Sequence, residues 1–436
     1  MIAWVVQPGE PLPVDRVDAR LMRSGLLALA LRDRGHQVTW WASTFRHADH
    51  SFRCDRETSI EWNGITIRLI HSTGYRRNVS LERIRDHRIL GRNLANAIES
   101  APRPDVIHTG YPPVDTCEAV VHYGQRHGVP VIVDVRDMWP DAFLGVLPAP
   151  LRPLARPVLW MLDRKARRVF RAATAIHGHA PGFRDFGLAK AGRVAVDSDR
   201  VYPFGYSAAP PSSSDAAAGE SFWDALGLNE GSGWLTVCLV GNLNTERDDV
   251  DYSTIGRAVR MLRLKGEKVR VVFGGEGKAA DALRREFADV PDAVFLPGYL
   301  NAAQIWTLMR RSHLGLLPYH PSPDFALSLP NKSIEYLSGG LPVLTCLDRG
   351  YLFERFTAAG VAVIYRAGDV AGLARILADL TRDSRRRDAM ATNARRLFDT
   401  EFRADQVYGD LSAFHEHLAI GHAPDARRAG VIPLSK

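Results

Sequence analysis

The residues best suited to act together lie in one stretch, Ser328-Leu-Pro-Asn-Lys-Ser-Ile-Glu-Tyr-Leu-Ser-Gly-Gly-Leu-Pro-Val343. It reads as a loop, a helix start and a tight turn into a buried strand. Pro330 suits the position before or at the first helical turn. The backbone N–H groups of Asn331 to Ser333 are then unpaired within the helix and aimed outward, which makes an anion site. Lys332 adds a point charge for phosphate. Glu335, one turn on, can accept two hydrogen bonds from a ribose diol. An ordinary helix with Lys332 and Glu335 turned to water would carry the same residues. A second stretch, Phe273-Gly-Gly-Glu-Gly277, ends a strand and opens a helix. Its glycines permit positive φ and close backbone approach, as in many strand-to-helix turns.

These residues need elements to hold them. Ile2–Val6 reads as a wholly apolar strand, about 19–34 as a helix stopped by Gly35, and Val38–Ala42 as a strand. This strand–helix–strand unit implies a parallel sheet. The alternation continues through strands at 106–108, 129–135 and 175–177, and 201–205 closes the half. Residues 207–221, SAAPPSSSDAAAGES, are the clearest low-complexity stretch and read as a linker. The alternation then restarts with strands at 235–240, 269–273, 294–295, 314–317 and 342–345, separated by helices. The expected architecture is two Rossmann-like, doubly wound α/β domains facing a cleft, with ligands at the carboxyl ends of the strands. Expected boundaries are 1–206, a linker 207–232, a second domain 233–402, and a C-terminal segment 403–436.

The segment 328–343 resembles the nucleotide-sugar motif of family-four retaining glycosyltransferases, which have the GT-B fold. In that family one Glu holds the donor ribose, and Glu335 matches it. A second Glu, eight positions earlier, contacts the donor sugar. Leu327 stands there in this chain, with Asp324 nearby but out of register. The Gly339-Gly-Leu-Pro-Val run fits the family pattern. Val240-Gly-Asn-Leu-Asn-Thr-Glu-Arg-Asp248 is similar to the family's Gly-Arg-Leu, three residues, Lys-Gly. Gly241 and Leu243 match, Asn242 replaces the usual Arg, and Arg247 at the Lys position would clamp a diphosphate. Gly275 belongs to a turn resembling the family's Gly-acidic-Gly, and Gly298-Tyr299 to the turn lining the base pocket. In the first half, Arg34-Gly-His-Gln-Val-Thr and Arg136-Asp-Met-Trp-Pro-Asp141 also resemble the family. The latter resembles one branch of the family, which builds bacterial surface polysaccharides. Arg136 falls where many members place a His on the acceptor side. Asp137 would orient or deprotonate an acceptor hydroxyl, or cap the next turn.

The resemblance implies transfer of a sugar from a nucleoside diphosphate sugar to a hydroxyl acceptor, with retention of configuration, and a C-terminal helix, about 403–419, that crosses back to the first domain. The expected donor-binding residues are Gly241, Asn242, Arg247, Gly275, Gly298, Tyr299, Ser328, Asn331, Lys332 and Glu335. Charge stabilisation would rest on Arg247 and Lys332, with Arg136 and Asp137 beside the acceptor. No metal or other cofactor is expected. Asp197-Ser-Asp199 and Asp249-Val-Asp251 have a spacing used by metal-dependent glycosyltransferases of another fold, and His177-Gly-His179 lacks a third ligand nearby. Alternatives are a nucleotide-sugar epimerase of similar architecture and a catalytically silent binding subunit.

Composition narrows the setting. The 436 residues are 46% hydrophobic and 24% charged, which is globular, and no apolar run approaches a membrane span. Four scattered Cys suit a reducing cytoplasm. The net charge of +7 is lopsided, because the first half carries the basic excess. Much of it sits in 151–171, LRPLARPVLWMLDRKARRVFR, which alternates basic and apolar faces at helical spacing. That pattern predicts either contact with an anionic membrane surface, as lipid-linked acceptors would require, or a two-faced helix packed on the first sheet. The expected place is the cytoplasm, at the inner face of the membrane, and nucleic acid is not expected as a partner.

Overall fold

The structure is a computed structural model that describes residues 1–15, 20–143, 152–229, 233–243 and 250–422. The chain divides into two units, Met1–Pro203 with the segment from Ala404, and Phe204–Arg403.

In the first unit, β1 (Ile2–Val6) and β2 (Gln37–Ser43) flank α1 (Arg23–Asp33). A short hairpin, β3 (Phe45–Arg46) and β4 (Ser51–Phe52), precedes β5 (Thr58–Trp62) and β6 (Ile65–Ile70). Then come α2 (Leu81–Glu99), β7 (Val106–Tyr111), α3 (Val114–His127), β8 (Val131–Val135), α4 (Arg152–Ala172), β9 (Ala175–Gly178) and α5 (Pro181–Ala191). The sheet order is β5-β6-β2-β1-β7-β8-β9, parallel except for β5. Its central strands are apolar on both faces because helices cover both, and Trp4 and Trp40 are fully buried. In segment 201–205, Val201 forms a single bridge to Gly178. Gly128 and Gly192 end α3 and α5 in the left-handed conformation that a side chain would strain.

The second unit starts with α6 (Ser213–Ala225), which lies inside the stretch expected to be a linker. Ser-rich composition here marks a cap: the Ser212 hydroxyl accepts from Asp215 N at 3.2 Å. Trp223 is fully buried and donates to Gln304 O at 2.9 Å. The expected linker is therefore corrected to a packed helix. There follow β10 (Leu235–Val240), α7 (Tyr252–Leu264), β11 (Val269–Gly274), α8 (Ala280–Glu286), β12 (Val294–Gly298), α9 (Ala302–Arg310) and β13 (Leu314–Leu317). The unit continues with α10 (Pro323–Leu327), α11 (Asn331–Ser338), β14 (Val343–Thr345), α12 (Tyr351–Ala358), β15 (Ala362–Ile364), α13 (Val370–Arg382) and α14 (Ser384–Glu401). Its sheet, β12-β11-β10-β13-β14-β15, is wholly parallel.

The last helix, α15 (Ala404–Gly421), belongs to the first unit. Its Glu416 pairs with Arg34 at 2.5 Å and with His36 at 2.7 Å. Among the described residues, no helix is long and apolar enough to cross a membrane.

Candidate functional site

The second unit gathers glycines and two charged side chains at the carboxyl ends of its central strands. Gly241 ends β10 with φ 131°, and its N–H donates to Gly274 O at 2.8 Å. Gly275 follows β11 with φ 148°; a Cβ there would fall inside the carbonyl of Gly241. Gly277, at φ 149°, would place a Cβ 2.5 Å from the carbonyl of Leu243 and 2.8 Å from Asn242 Oδ1. The two loops are thus in backbone contact, and Leu243 N donates to Glu276 O at 2.9 Å. This is the sort of surface that a bulky anionic group can approach closely.

α11 presses against it. Leu329 is fully buried, and Pro330 stands at the cap position with extended backbone. Tyr336 fixes the helix, because its hydroxyl donates to Leu316 O and accepts from Val240 N, both at 3.2 Å. Gly315 makes room for that ring, since a Cβ would enter it. The helix start therefore stands over the end of β10, and Lys332 Nζ lies 2.7 Å from where a Gly241 Cβ would be. Burial pushes the Lys332 ammonium down to about 8, against the opposing pull of Glu335. Glu335 is 7% exposed, and Tyr206 donates its hydroxyl to Oε1 at 3.2 Å. A cation, a carboxylate and a backbone hollow lined by glycines thus share one small region.

The expected residues divide as follows. Gly241, Asn242, Gly275, Lys332 and Glu335 are brought together, with Asn331 in the first turn of α11. Gly298, at φ 85°, neighbours Glu276, whereas Tyr299 is 61% exposed. Ser328 closes α10, donating to Phe325 O at 3.4 Å, and Leu327 is 40% exposed. Arg247 and Asp249 lie outside the described residues.

In the first unit, Arg136 and Asp137 are tied into the segment after β8. Arg136 donates to Asp134 and to Ser24 Oγ, each at 3.0 Å, and pairs with Glu10. Asp134 is in turn held by Arg23 at 2.7 Å and is wholly buried. Both oxygens of Asp137 accept from its own loop, from Met138 N at 2.8 Å and Trp139 Nε1 at 3.0 Å. These contacts hold the segment after β8. Two of the residues with metal-like spacing have structural partners or surroundings. Asp199 accepts from Ile176 N at 2.8 Å and pairs with Arg193, and His177 is buried in the core.

Tyr206 was invisible to sequence reasoning. It sits 129 positions from Glu335, beside a stretch read as linker.

Comparison with known proteins settles the family. The glycosyl transferase 4-like domain matches residues 22–202, and the glycosyl transferases group 1 domain matches 235–383. The chain is a family-four glycosyltransferase. Its two units are the two halves of the GT-B fold. The glycosyltransferase is similar to sucrose-phosphate synthase from Thermosynechococcus elongatus, with a TM-score of 0.68 and 13% identity over 96% of this chain and 99% of that one. It is also similar to HepE of Anabaena in complex with UDP, with a TM-score of 0.63 and 14% identity over 95% and 99%. WaaG, a glycosyltransferase involved in lipopolysaccharide biosynthesis, gives 0.61 and 14% over 97% and 100%. At these identities the likeness concerns the fold. No curated protein sequence matches the chain significantly.

Proposed function

We propose that the second unit binds a nucleoside diphosphate sugar and that the sugar passes to a hydroxyl acceptor with retention of configuration. The observation that carries this reading is the grouping of Lys332, Glu335 and the Gly241 and Gly275 turns at one end of the sheet. The glycine loops and the start of α11 offer backbone to a diphosphate, and Lys332 its charge. Glu335, oriented by Tyr206, takes the ribose hydroxyls. HepE has been crystallised with UDP and with UDP-glucose, which supports a donor of this class.

Asp137 accepts from Met138 N and Trp139 Nε1, and this reading assigns no enzymic base. The acceptor attacks the face from which the diphosphate leaves, and the departing phosphate oxygen receives its proton. The protein then acts by positioning and by charge stabilisation, for which no metal is needed. Binding of UDP, measured by calorimetry, tests the site. Glu335→Ala should weaken it tenfold or more, since hydrogen bonds to a charged group are worth about 1.5–3 kcal/mol. Unchanged affinity in that variant removes the ribose assignment.

The first unit takes the acceptor in this reading, in assembly of a bacterial surface polysaccharide or glycoconjugate. A lipid-linked acceptor agrees with α4. Lys165 and Arg168 are paired with Asp115 and Glu118 on the protein side. Leu154 and Trp160 are 76% and 60% exposed, and the Arg164 guanidinium lies over the Trp160 ring. Exposed apolar groups framed by arginine suit the inner, anionic face of a membrane. The protein should float with vesicles containing anionic lipid, and Leu154→Asp with Trp160→Asp should abolish this. Flotation indifferent to lipid charge contradicts the membrane reading.

A further inference from the structure

A cavity of about 390 Å³ lies within the second unit, away from the glycine turns. It is placed at the opposite ends of the strands: Ser312 and His313 precede β13, and Gly339 to Leu341 precede β14. One wall is α9, with Trp306 and Arg310 one turn apart. The other is α14, where Arg387, Ala391 and Arg395 recur every fourth residue and so share a face. Tyr206 lines it too.

Several arginines elsewhere on this unit face acids: Arg257 pairs with Glu286, Arg260 with Asp289 and Arg263 with Asp292, each at 2.7 Å. At the cavity, among the described residues, no carboxylate pairs with Arg310, Arg387 or Arg395. Arg310 stacks on the Trp306 ring, 4.8 Å from its centroid. Arg387 donates to the carbonyls of Leu380 and Thr381. The Arg395 guanidinium lies against the turn, with Nε 2.6 Å from where a Gly340 Cβ would be. Asp388 is the single acid in the lining. His313 accepts from Thr236 N at Nδ1, at 3.1 Å, so the neutral ring carries its proton on Nε2 as a further donor. Three guanidinium groups against one carboxylate leave two positive charges, which a phosphate monoester would balance. The volume lies within the range of small-molecule sites and exceeds what a phosphate alone would fill.

We propose that this cavity is a second ligand site, for a phosphorylated monosaccharide, and that its occupancy is felt at the donor site. The phosphate meets Arg310, Arg387 and Arg395, and the sugar lies toward Trp306 and Tyr206. Two physical links run from it to the donor residues. The Tyr206 hydroxyl donates to the Glu335 carboxylate, and the lining turn is the continuation of α11, which carries Lys332 and Glu335. A ligand that moves Tyr206 therefore changes donor affinity, and by linkage the donor changes affinity for that ligand equally.

The test uses the full chain saturated with UDP, so that the donor site is filled. A panel of hexose 1- and 6-phosphates and inorganic phosphate is screened by thermal shift. At least one hexose phosphate should raise the melting temperature further than inorganic phosphate. Arg310→Gln and Arg395→Gln, both exposed side chains, should weaken that ligand tenfold or more and leave UDP affinity in its absence unchanged. The ligand should shift the UDP dissociation constant at least threefold in the native chain and not in Tyr206→Phe. No shift from any compound overturns the site. So does a shift that UDP competes away, one that survives both arginine substitutions, or one that inorganic phosphate equals. An unchanged UDP constant removes the coupling. Failure of UDP itself to bind would count against the donor reading and leave the cavity to be screened alone.

Discussion

Lys332 is a working compromise between binding and stability. Burial lowers its value from the ordinary 10.5 to about 8. Between those values the unfolded chain holds the proton more firmly than the folded one, so this residue's contribution to stability rises with pH across that window. Below pH 8 the buried charge is a standing cost. Donor binding runs the other way, because a diphosphate requires the ammonium. UDP affinity should fall as pH rises above 8, by up to about tenfold per unit. Calorimetric titrations from pH 7 to 9.5 would show the break, and Lys332→Arg, which stays charged, should lack it. Lys332→Met should raise the melting temperature of the ligand-free protein while weakening UDP. At this scale Lys332 and Glu335 were legible from residue type and spacing. Tyr206 was not, because its hydrogen bond to Glu335 joins residues far apart in sequence. For Arg136 and Asp137 the sequence offered a chemical signal, and the structure adds their partners: Asp134 and Ser24 for Arg136, the following loop for Asp137.

Among the elements, the glycine turns decide whether the donor surface exists. Gly275 and Gly266 both have positive φ, 148° and 80°, but only Gly275 has another loop against it. Gly266→Ala should cost about 1–2 kcal/mol from backbone conformation alone. Gly275→Ala adds a clash with the Gly241 carbonyl that no side-chain rotation relieves. It should cost well over that amount in urea unfolding and abolish UDP binding. The strands of both sheets were legible because central parallel strands are continuous apolar runs. The 207–232 segment was not. Ser, Ala and Gly signal a linker by composition, and α6 becomes a helix because Trp223 finds a pocket on α9 and Arg311 pairs with Asp224 at 2.7 Å. Gly219 permits that approach, since a Cβ would lie 2.9 Å from the Ala303 carbonyl.

On the scale of the whole molecule, each unit carries its own buried core, one around β1 and β2 and others around β10 and β11. Scanning calorimetry should therefore resolve two components, of which UDP raises the one belonging to the second unit. At a hundred times its dissociation constant the ligand adds about 2.7 kcal/mol. If both rise equally, the units unfold as one. The basic excess that marked the first half has been sorted by packing. Part of α4's charge is neutralised by α3, and the remainder frames exposed Leu154 and Trp160. The sequence by itself determined the alternation of strands and helices, the family, and the placing of Lys332 and Glu335 in one motif. All of these depend on local periodicity or short spacing. Only the tertiary structure decided that Tyr206 donates to Glu335 and that three arginines and one acid, Asp388, line a cavity. These depend on groups distant along the chain becoming neighbours in space, where burial and charge act irrespective of sequence order.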